Sequence, residues 1–250
     1  EALDFILVKD IQESWGLWLR DGYGQTETTA QIGHPPGTIP KPGTLGKPLP
    51  GYEIVLIDPL TGKCGDEGEI SIPLSSKPMG LMLGYESPQG GDLSLPKGLF
   101  YRTGDLAYRD TEGYIVLQGR IDDLFKSKDH RVSPFELERV LLQHPKVAEA
   151  AIVPFFDQAT VVPKAFVKLL PETPATSSIA RDLFIYLEER ISSDFRIHRI
   201  QFIDSIPKTQ SGKILRRALR ESETIRKGDE LNSGEFLWQS DNSAKKVHHA

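Results

Sequence analysis

Four short stretches of the chain carry side chains able to do chemistry on a nucleotide. "YGQTETT", Tyr23 to Thr29, sets an aromatic ring, a hydroxyl and a carboxylate within a few positions of glycines. An aromatic face stacks on adenine, a hydroxyl bonds a phosphate oxygen, and a carboxylate holds Mg2+ beside it. The same letters also suit a tight turn followed by a Thr-capped helix. "YRTGDLAYRD", Tyr101 to Asp110, places Asp105 between a glycine turn and a strand. There the carboxylate can accept both ribose hydroxyls, or it can simply close the turn. "GRIDD", Gly119 to Asp123, offers Arg120 to a nucleotide and Asp122 as a pivot, with a charged linker as the plain alternative. "PKTQSGKILRR", Pro207 to Arg217, puts Lys213 directly after Gly212 at the expected head of a basic helix. A cation at a helix N-terminus has the wrong sign for the macrodipole, so Lys213 is either one more surface lysine or a charge aimed at an anion. A phosphate-cradling P-loop is excluded, because Pro207 and Ile214 stand where that motif needs Gly and Ser or Thr. "TGK", Thr61 to Lys63, fails the same check.

These residues must be positioned by two regions of different texture. From Ile11 to Arg20 an amphipathic piece with Trp15 and Trp18 leads into the glycine-marked turn. "GTIPKPGTLGKPLPG", Gly37 to Gly51, is too rich in Pro and Gly for a helix or central strand. Tyr52–Asp58 and Gly68–Ile72 alternate like half-buried strands joined by hairpin chemistry. "LAYRDTEGYIVLQGR" gives two more strands turning at Asp110 to Gly113. Residues 1–118 therefore read as mostly β. Beyond Arg120 helices alternate with strands. Ser133 is a capping-box N-cap, with Pro134 at the first helical position and Glu136 at the third. Leu137, Val140 and Leu141 form that helix's apolar stripe, and His144-Pro145 ends it. Strands follow at Val147–Val153 and Lys164–Leu170, then a helix over Ser178–Phe195 and a strand at "RIQFID". Residues 119–225 thus form a small α+β domain, and the polar, aperiodic residues 226–250 read as a disordered tail.

Composition narrows the partners. The chain has 250 residues and a formal net charge of −5, which gives no field for a nucleic acid. No apolar run approaches a membrane span, so no membrane partner is expected. One cysteine, Cys64, excludes an internal disulfide framework and fits a reducing, cytoplasmic setting. The chain opens on Glu1 rather than Met, as a fragment or processed product would.

In their order and spacing, "GYGQTE", "YRTGD", "GRIDD" with "SPFELE", and "PKTQSGKILRR" resemble the AMP-forming acyl-CoA synthetase, adenylation-domain and luciferase superfamily. The resemblance runs from about residue 10 to 222. "HPKVAEAAIVP" and "VPKAFVKL" are most similar to its acyl-CoA synthetase branch, among short- and medium-chain acid members. It implies an α+β fold: the mostly-β end of a large adenylation domain, then a small mobile domain with a short antiparallel sheet. It also implies a two-step ligase, in which ATP and a carboxylate give an acyl-adenylate and pyrophosphate, and the thiol of CoA then displaces AMP. Carried over by residue, Tyr23 lies against adenine, with Gly24 beside the acyl group and Gln25 among the nucleotide contacts. Thr26 touches the α-phosphate, Glu27 holds Mg2+, Asp105 grips the ribose and Arg120 contacts ribose and phosphate. Asp122 becomes the hinge and Lys213 the cation delivered to the reacting phosphorus.

This sequence departs from the family pattern in places. The family's phosphate-cradling loop lies upstream of "GYGQTE" and is not among these residues, nor is most of the acyl pocket. The implied partner is the missing N-terminal half of the same enzyme, and the 250-residue chain alone is expected to have little or no ligase activity. "KSKDHR" sets Lys128-Asp129 where many relatives carry small residues, in a loop that, with Arg131, is expected to line the CoA channel. "FRIHRI", Phe195 to Ile200, lacks a Pro frequent in relatives. Two alternatives remain open: an amino-acid adenylation module serving a carrier protein, and a non-catalytic fragment that binds adenylate.

Overall fold

The computed structural model describes Leu3, residues 5–86, Gly90, Leu93, Ser94, and residues 98–157, 160–210, 212–224 and 231–238. The chain divides into two compact units, Glu1–Asp123 and Leu124–Ala250. The division falls a few residues beyond the boundary expected at 118/119, because the strand Ile115–Arg120 and the single 3-10 turn Ile121–Asp123 after it belong with the first unit.

Unit 1 opens with helix α1 (Phe5–Trp15), which begins and ends earlier than the expected Ile11–Arg20 piece. A hairpin of β1 (Gly22–Gln25) and β2 (Thr29–Gly33) follows, extended by the two-residue β3 (Lys47–Pro48) inside the Pro/Gly-rich stretch. The alternative of a Thr-capped helix is not realised, since Thr26–Thr28 form the hairpin turn. β4 (Val55–Ile57), β5 (Cys64–Gly65), β6 (Glu67–Pro73), β7 (Phe100–Arg109) and β8 (Ile115–Arg120) make an antiparallel sheet ordered β5-β4-β6-β7-β8. Alternation along β4 and β6 to β8 sends Leu56, Ile70, Ile72, Tyr101, Ala107 and Ile115 into one core, where Ile32 of β2 joins them. The hairpin and the long β7 are thereby packed against each other.

Unit 2 begins with the hairpin β9 (Phe125–Ser127) and β10 (His130–Val132), then α2 (Pro134–Leu142). The expected cap of α2 is present, Ser133 Oγ accepting the Glu136 N–H. β11 (Val147–Asp157) and β12 (Thr160–Leu169) form a long antiparallel pair. Helix α3 (Ser177–Glu188) stops well before Phe195, because Ser192 accepts the Asp194 N–H and starts a separate 3-10 turn. β13 (Arg199–Phe202) runs parallel to β12, as the crossover through α3 requires. The basic helix α4 (Arg216–Thr224) starts after Lys213, not at it.

The last strand corrects a sequence expectation. Glu235–Leu237, inside the segment read as a disordered tail, forms β14 on the edge of the four-stranded sheet, antiparallel to β13. Phe236 and Trp238 pack on the core, and the buried Glu235 carboxylate meets Lys164 Nζ at 3.1 Å and an Arg199 nitrogen at 3.4 Å. A burst of two aromatics between polar residues carries no periodic signal, so the strand was hidden. Residues 226–230 and 239–250 of that tail lie outside the described residues. The sheet is buried on both faces. Ala150, Ile152, Ala165 and Val167 pack under α2 and α3, while Ala151, Val153 and Phe166 pack under Leu219 of α4.

Candidate active site

In unit 1 the β1–β2 hairpin and the β7–β8 pair bring five of the sequence-predicted residues into one hydrogen-bonded group. Asp105, 8% exposed, is its centre. Its Oδ2 accepts the Tyr23 hydroxyl at 2.5 Å and the Gln25 amide at 2.7 Å. Its Oδ1 faces Arg120 Nη1 at 3.2 Å, and the second Arg120 nitrogen lies 3.6 Å from Asp122. Gln25 is fixed in turn, donating to the Thr103 carbonyl at 2.8 Å and accepting the Tyr101 hydroxyl at 3.1 Å.

The backbone explains how these side chains meet. At Gly24 the hairpin register shifts, and a Cβ there would stand 1.8 Å from the Thr29 carbonyl oxygen. Only glycine permits that approach. Gly104 adopts φ +77° just before Asp105, and a Cβ there would come within 2.7 Å of an Arg120 Nη atom. The bare glycine thus leaves the guanidinium its path to Asp105. Beneath the turn, buried Glu69 accepts the Gly104 N–H at 2.8 Å and pairs with Arg102. Thr28, fully buried, accepts the Gln25 N–H at 2.9 Å and closes the hairpin, which leaves Thr26 exposed at its tip.

Charge and burial set the ionisation of the group. Burial, and then the adjoining Asp105 carboxylate, push the Tyr23 phenol far above its ordinary range, so it stays a donor. Tyr101 is pushed up by burial and by a hydrogen bond to Tyr85. Burial opposes the Arg120 charge, but Asp105 and Asp122 outweigh it and raise its pKa. Glu27 stands at the other end, its Oε1 accepting the Tyr85 hydroxyl at 3.2 Å. Among the described residues there is no cluster of three or more His, Cys, Asp or Glu that could hold a metal. A lone half-exposed carboxylate nevertheless fits Mg2+, which takes one or two carboxylates and draws its other ligands from water and substrate phosphates.

Lys128, Asp129, Arg131 and Lys213 belong to unit 2. Lys128 takes φ +54° at the β9–β10 turn, a left-handed conformation that favours glycine over a side chain. Asp129 pairs with Lys126 at 3.1 Å across that turn, and Arg131 is exposed on β10. Lys213 is exposed in a loop rather than on a helix end, so the macrodipole argument does not apply to it. Its carbonyl accepts the Thr209 N–H at 2.8 Å, and its own N–H donates to Thr209 Oγ1 at 3.1 Å.

Tyr85, Tyr101, Thr103 and Glu69 were not singled out from the sequence. Tyr101 and Thr103 stand inside the "YRTGD" stretch at alternate positions to Asp105, and that strand periodicity was the available signal.

The family model for the AMP-binding enzyme matches residues 2–86, and that for the AMP-binding enzyme C-terminal domain matches residues 136–213. The chain is 40% identical over 245 residues to 4-hydroxybutyrate--CoA ligase 1 of Metallosphaera sedula, covering 95% of this chain and 43% of that protein. It is 36% identical over 228 residues to the human mitochondrial acyl-coenzyme A synthetase ACSM3, covering 87% of this chain and 39% of that protein. Among solved structures, the anthranilate CoA ligase AuaEII in complex with anthranoyl-AMP superposes with a TM-score of 0.77 at 33% identity, covering 90% of this chain and 42% of that one. The chain belongs to the AMP-forming acyl-CoA synthetase superfamily of adenylate-forming ligases. It spans about two fifths of the length of the curated relatives it matches.

Proposed function

We propose that this chain supplies the nucleotide-holding β region, residues 1–118, and the mobile small domain, residues 119–225, of an AMP-forming acyl-CoA synthetase. The observation that carries this reading is the Asp105 carboxylate, whose Oδ2 is committed to Tyr23 and Gln25 while its Oδ1 is met, among the described residues, by Arg120 alone. An anchored carboxylate with acceptor capacity to spare suits the two hydroxyls of a ribose. The Tyr23 ring would lie against adenine, Gly24 beside the acyl group, Thr26 at the α-phosphate, and Arg120 between ribose and phosphate. Glu27 would hold Mg2+, which neutralises phosphate charge when bound.

In the first step the substrate carboxylate oxygen attacks the α-phosphorus, the bond to the β-phosphate oxygen breaks, and pyrophosphate leaves. Two anions meet, and a compact ammonium at that point stabilises charge that is greatest in the transition state. Lys213 is the residue for that task, and Asp122 is the hinge that brings it. In the second step the CoA thiolate attacks the acyl carbon and AMP departs, with Lys128, Asp129 and Arg131 along the thiol's approach. The relatives' names point to a small carboxylic acid as substrate and CoA as acceptor. The share of those relatives that the chain spans supports its working with a further N-terminal portion, and turnover by the 250-residue chain alone is expected to be negligible. Exposed Cys64 fits a reducing compartment, the cytoplasm or the mitochondrial setting that the human relative's name indicates. Among the described residues no helix is long and apolar enough to cross a membrane.

The test is Lys213→Ala in the longer protein carrying this chain. Acyl-adenylate formation should fall by about 10²- to 10³-fold, the cost of losing one transition-state charge contact. Formation at the parent rate refutes the assignment.

A further inference from the structure

The helix that follows Lys213 is clamped at both ends from within unit 2. At its first residue Arg216 meets Glu138 Oε2 at 2.5 Å, and near its last Glu223 meets Lys164 Nζ at 2.8 Å. Glu138 lies on α2 and is buried, and its other oxygen accepts the Ile152 N–H at 2.8 Å. Ile152 sits on β11, an edge strand of the sheet, so Glu138 is tied to backbone and cannot follow Arg216 if α4 shifts. Lys164 is fully buried on β12 and shared with Glu235 of β14. Between the clamps Leu219 packs on Ala151, Val153 and Phe166.

Little slack separates the first clamp from the lysine. Two residues lie between Lys213 and Arg216, and both are pinned: Ile214 bridges Lys208, and the Leu215 N–H donates to the Pro207 carbonyl at 2.8 Å. Buried ion pairs return little net stability, because desolvation offsets their attraction. What such a pair does secure is a direction, and here the direction is that of the loop Pro207–Lys213. We propose that Glu138 and Arg216 are positioning residues for Lys213, fixing the angle at which its loop leaves α4. The proposal rests on the reading of Lys213 as the adenylation cation.

Glu138→Gln is the informative variant, since its amide oxygen can still accept the Ile152 N–H while the charge facing Arg216 is removed. In the longer protein, adenylate formation should fall by about 10- to 100-fold, the cost of an ångström-scale misplacement, while thioester formation from supplied acyl-adenylate and CoA changes by about twofold or less. Equal loss in both half-reactions marks a merely structural residue and overturns the proposal, as does an unchanged adenylation rate. Lys213→Ala run in parallel separates the two layers: if it leaves adenylation intact, the functional reading fails and this inference with it. A readout free of turnover uses the 250-residue chain itself. In Glu138→Gln, and in Arg216→Gln should the first not fold, amide hydrogen exchange at Thr209, Gly212, Lys213 and Leu215 should quicken while α3 keeps the parent rate. Unchanged exchange in that loop refutes the clamp.

Discussion

Replacing Asp105 by Asn tests the centre of the site with almost no change of shape. In the parent, Oδ2 already receives two donors, from Tyr23 at 2.5 Å and Gln25 at 2.7 Å, and Arg120 approaches Oδ1 at 3.2 Å. Whichever way the Asn amide turns, its NH2 faces a group that is itself a donor, and the charge that would strengthen a bond to ribose is gone. A hydrogen bond to a charged acceptor contributes about 1.5–3 kcal/mol. With Oδ2 engaged, the ribose gains roughly one such bond in full, so AMP binding should weaken by about 10- to 150-fold. Calorimetric titration of AMP into the 250-residue chain and its variant measures this. The same variant carries an internal check, because burial first and the Asp105 charge second hold the Tyr23 phenol above its ordinary 10.0. Removing the charge should bring Tyr23 ionisation down in an alkaline absorbance titration, and burial should keep it above the ordinary value. If the phenol shifts but AMP affinity stays within about threefold, the network is real and the ribose assignment is wrong. If the phenol does not move, the contact itself is refuted.

Other expectations concern unit 2. Lys128→Gly relieves a left-handed backbone that costs a side chain about 1–2 kcal/mol, against about 0.5–1 kcal/mol of added chain entropy, so a net gain of about 0.5–1 kcal/mol should raise the urea midpoint. A lower midpoint contradicts the turn geometry. Lys164→Met removes a cation buried with Glu223 and Glu235 and should cost about 3 kcal/mol, read from denaturant unfolding; a neutral outcome would mean the carboxylates are satisfied without it. Stability should also fall on acidification. His144 and His198 are held below 6.5, chiefly by burial, so just under that pH the unfolded chain binds more protons and folding weakens as pH drops. Asp182, lowered by Lys146, and Glu149, lowered by Lys208 and Lys168 against its burial, add to the loss once pH falls through their folded values, below 3.8 and 4.5 respectively. Unfolding curves for His144→Asn and His198→Asn should show a shallower decline near pH 6.5, and an unchanged decline places the proton uptake elsewhere.

Elements with strong local patterns were legible in the sequence. The cap of α2, its stripe of Leu137 and Leu141, and the alternation along β7 are each written within about ten residues, and the structure has them. Errors fell where distant groups decide. Ile191 continues the apolar face of α3 and so predicts a helix seven residues longer than the structure has, yet Ser192 caps a new turn. The basic residues after Lys213 predict a helix that begins with it, while hydrogen bonds from Thr209, Gly212 and Leu215 hold the segment as a loop. β14 depends on partners at Lys164 and Arg199, tens of positions away, and no local pattern announces them.

The site shows the same division between composition and contact. Tyr23, Glu27, Asp105 and Arg120 could be named as candidates because chemistry on a nucleotide calls for those side-chain types, and Gln25 because the family resemblance implies it. Their mutual arrangement could not be. Tyr23 was expected to offer a ring face, but its hydroxyl also fixes Asp105 across 82 positions of sequence. That bond changes the meaning of the motif, because the residue proposed to meet adenine is tied to the residue proposed to meet ribose. A nucleotide that displaces one strains the other, so base and sugar recognition should be coupled rather than additive. Tyr23→Phe keeps the ring and breaks only the tether. It should weaken binding of AMP more than binding of free adenine, whereas equal losses would show that the two residues act independently.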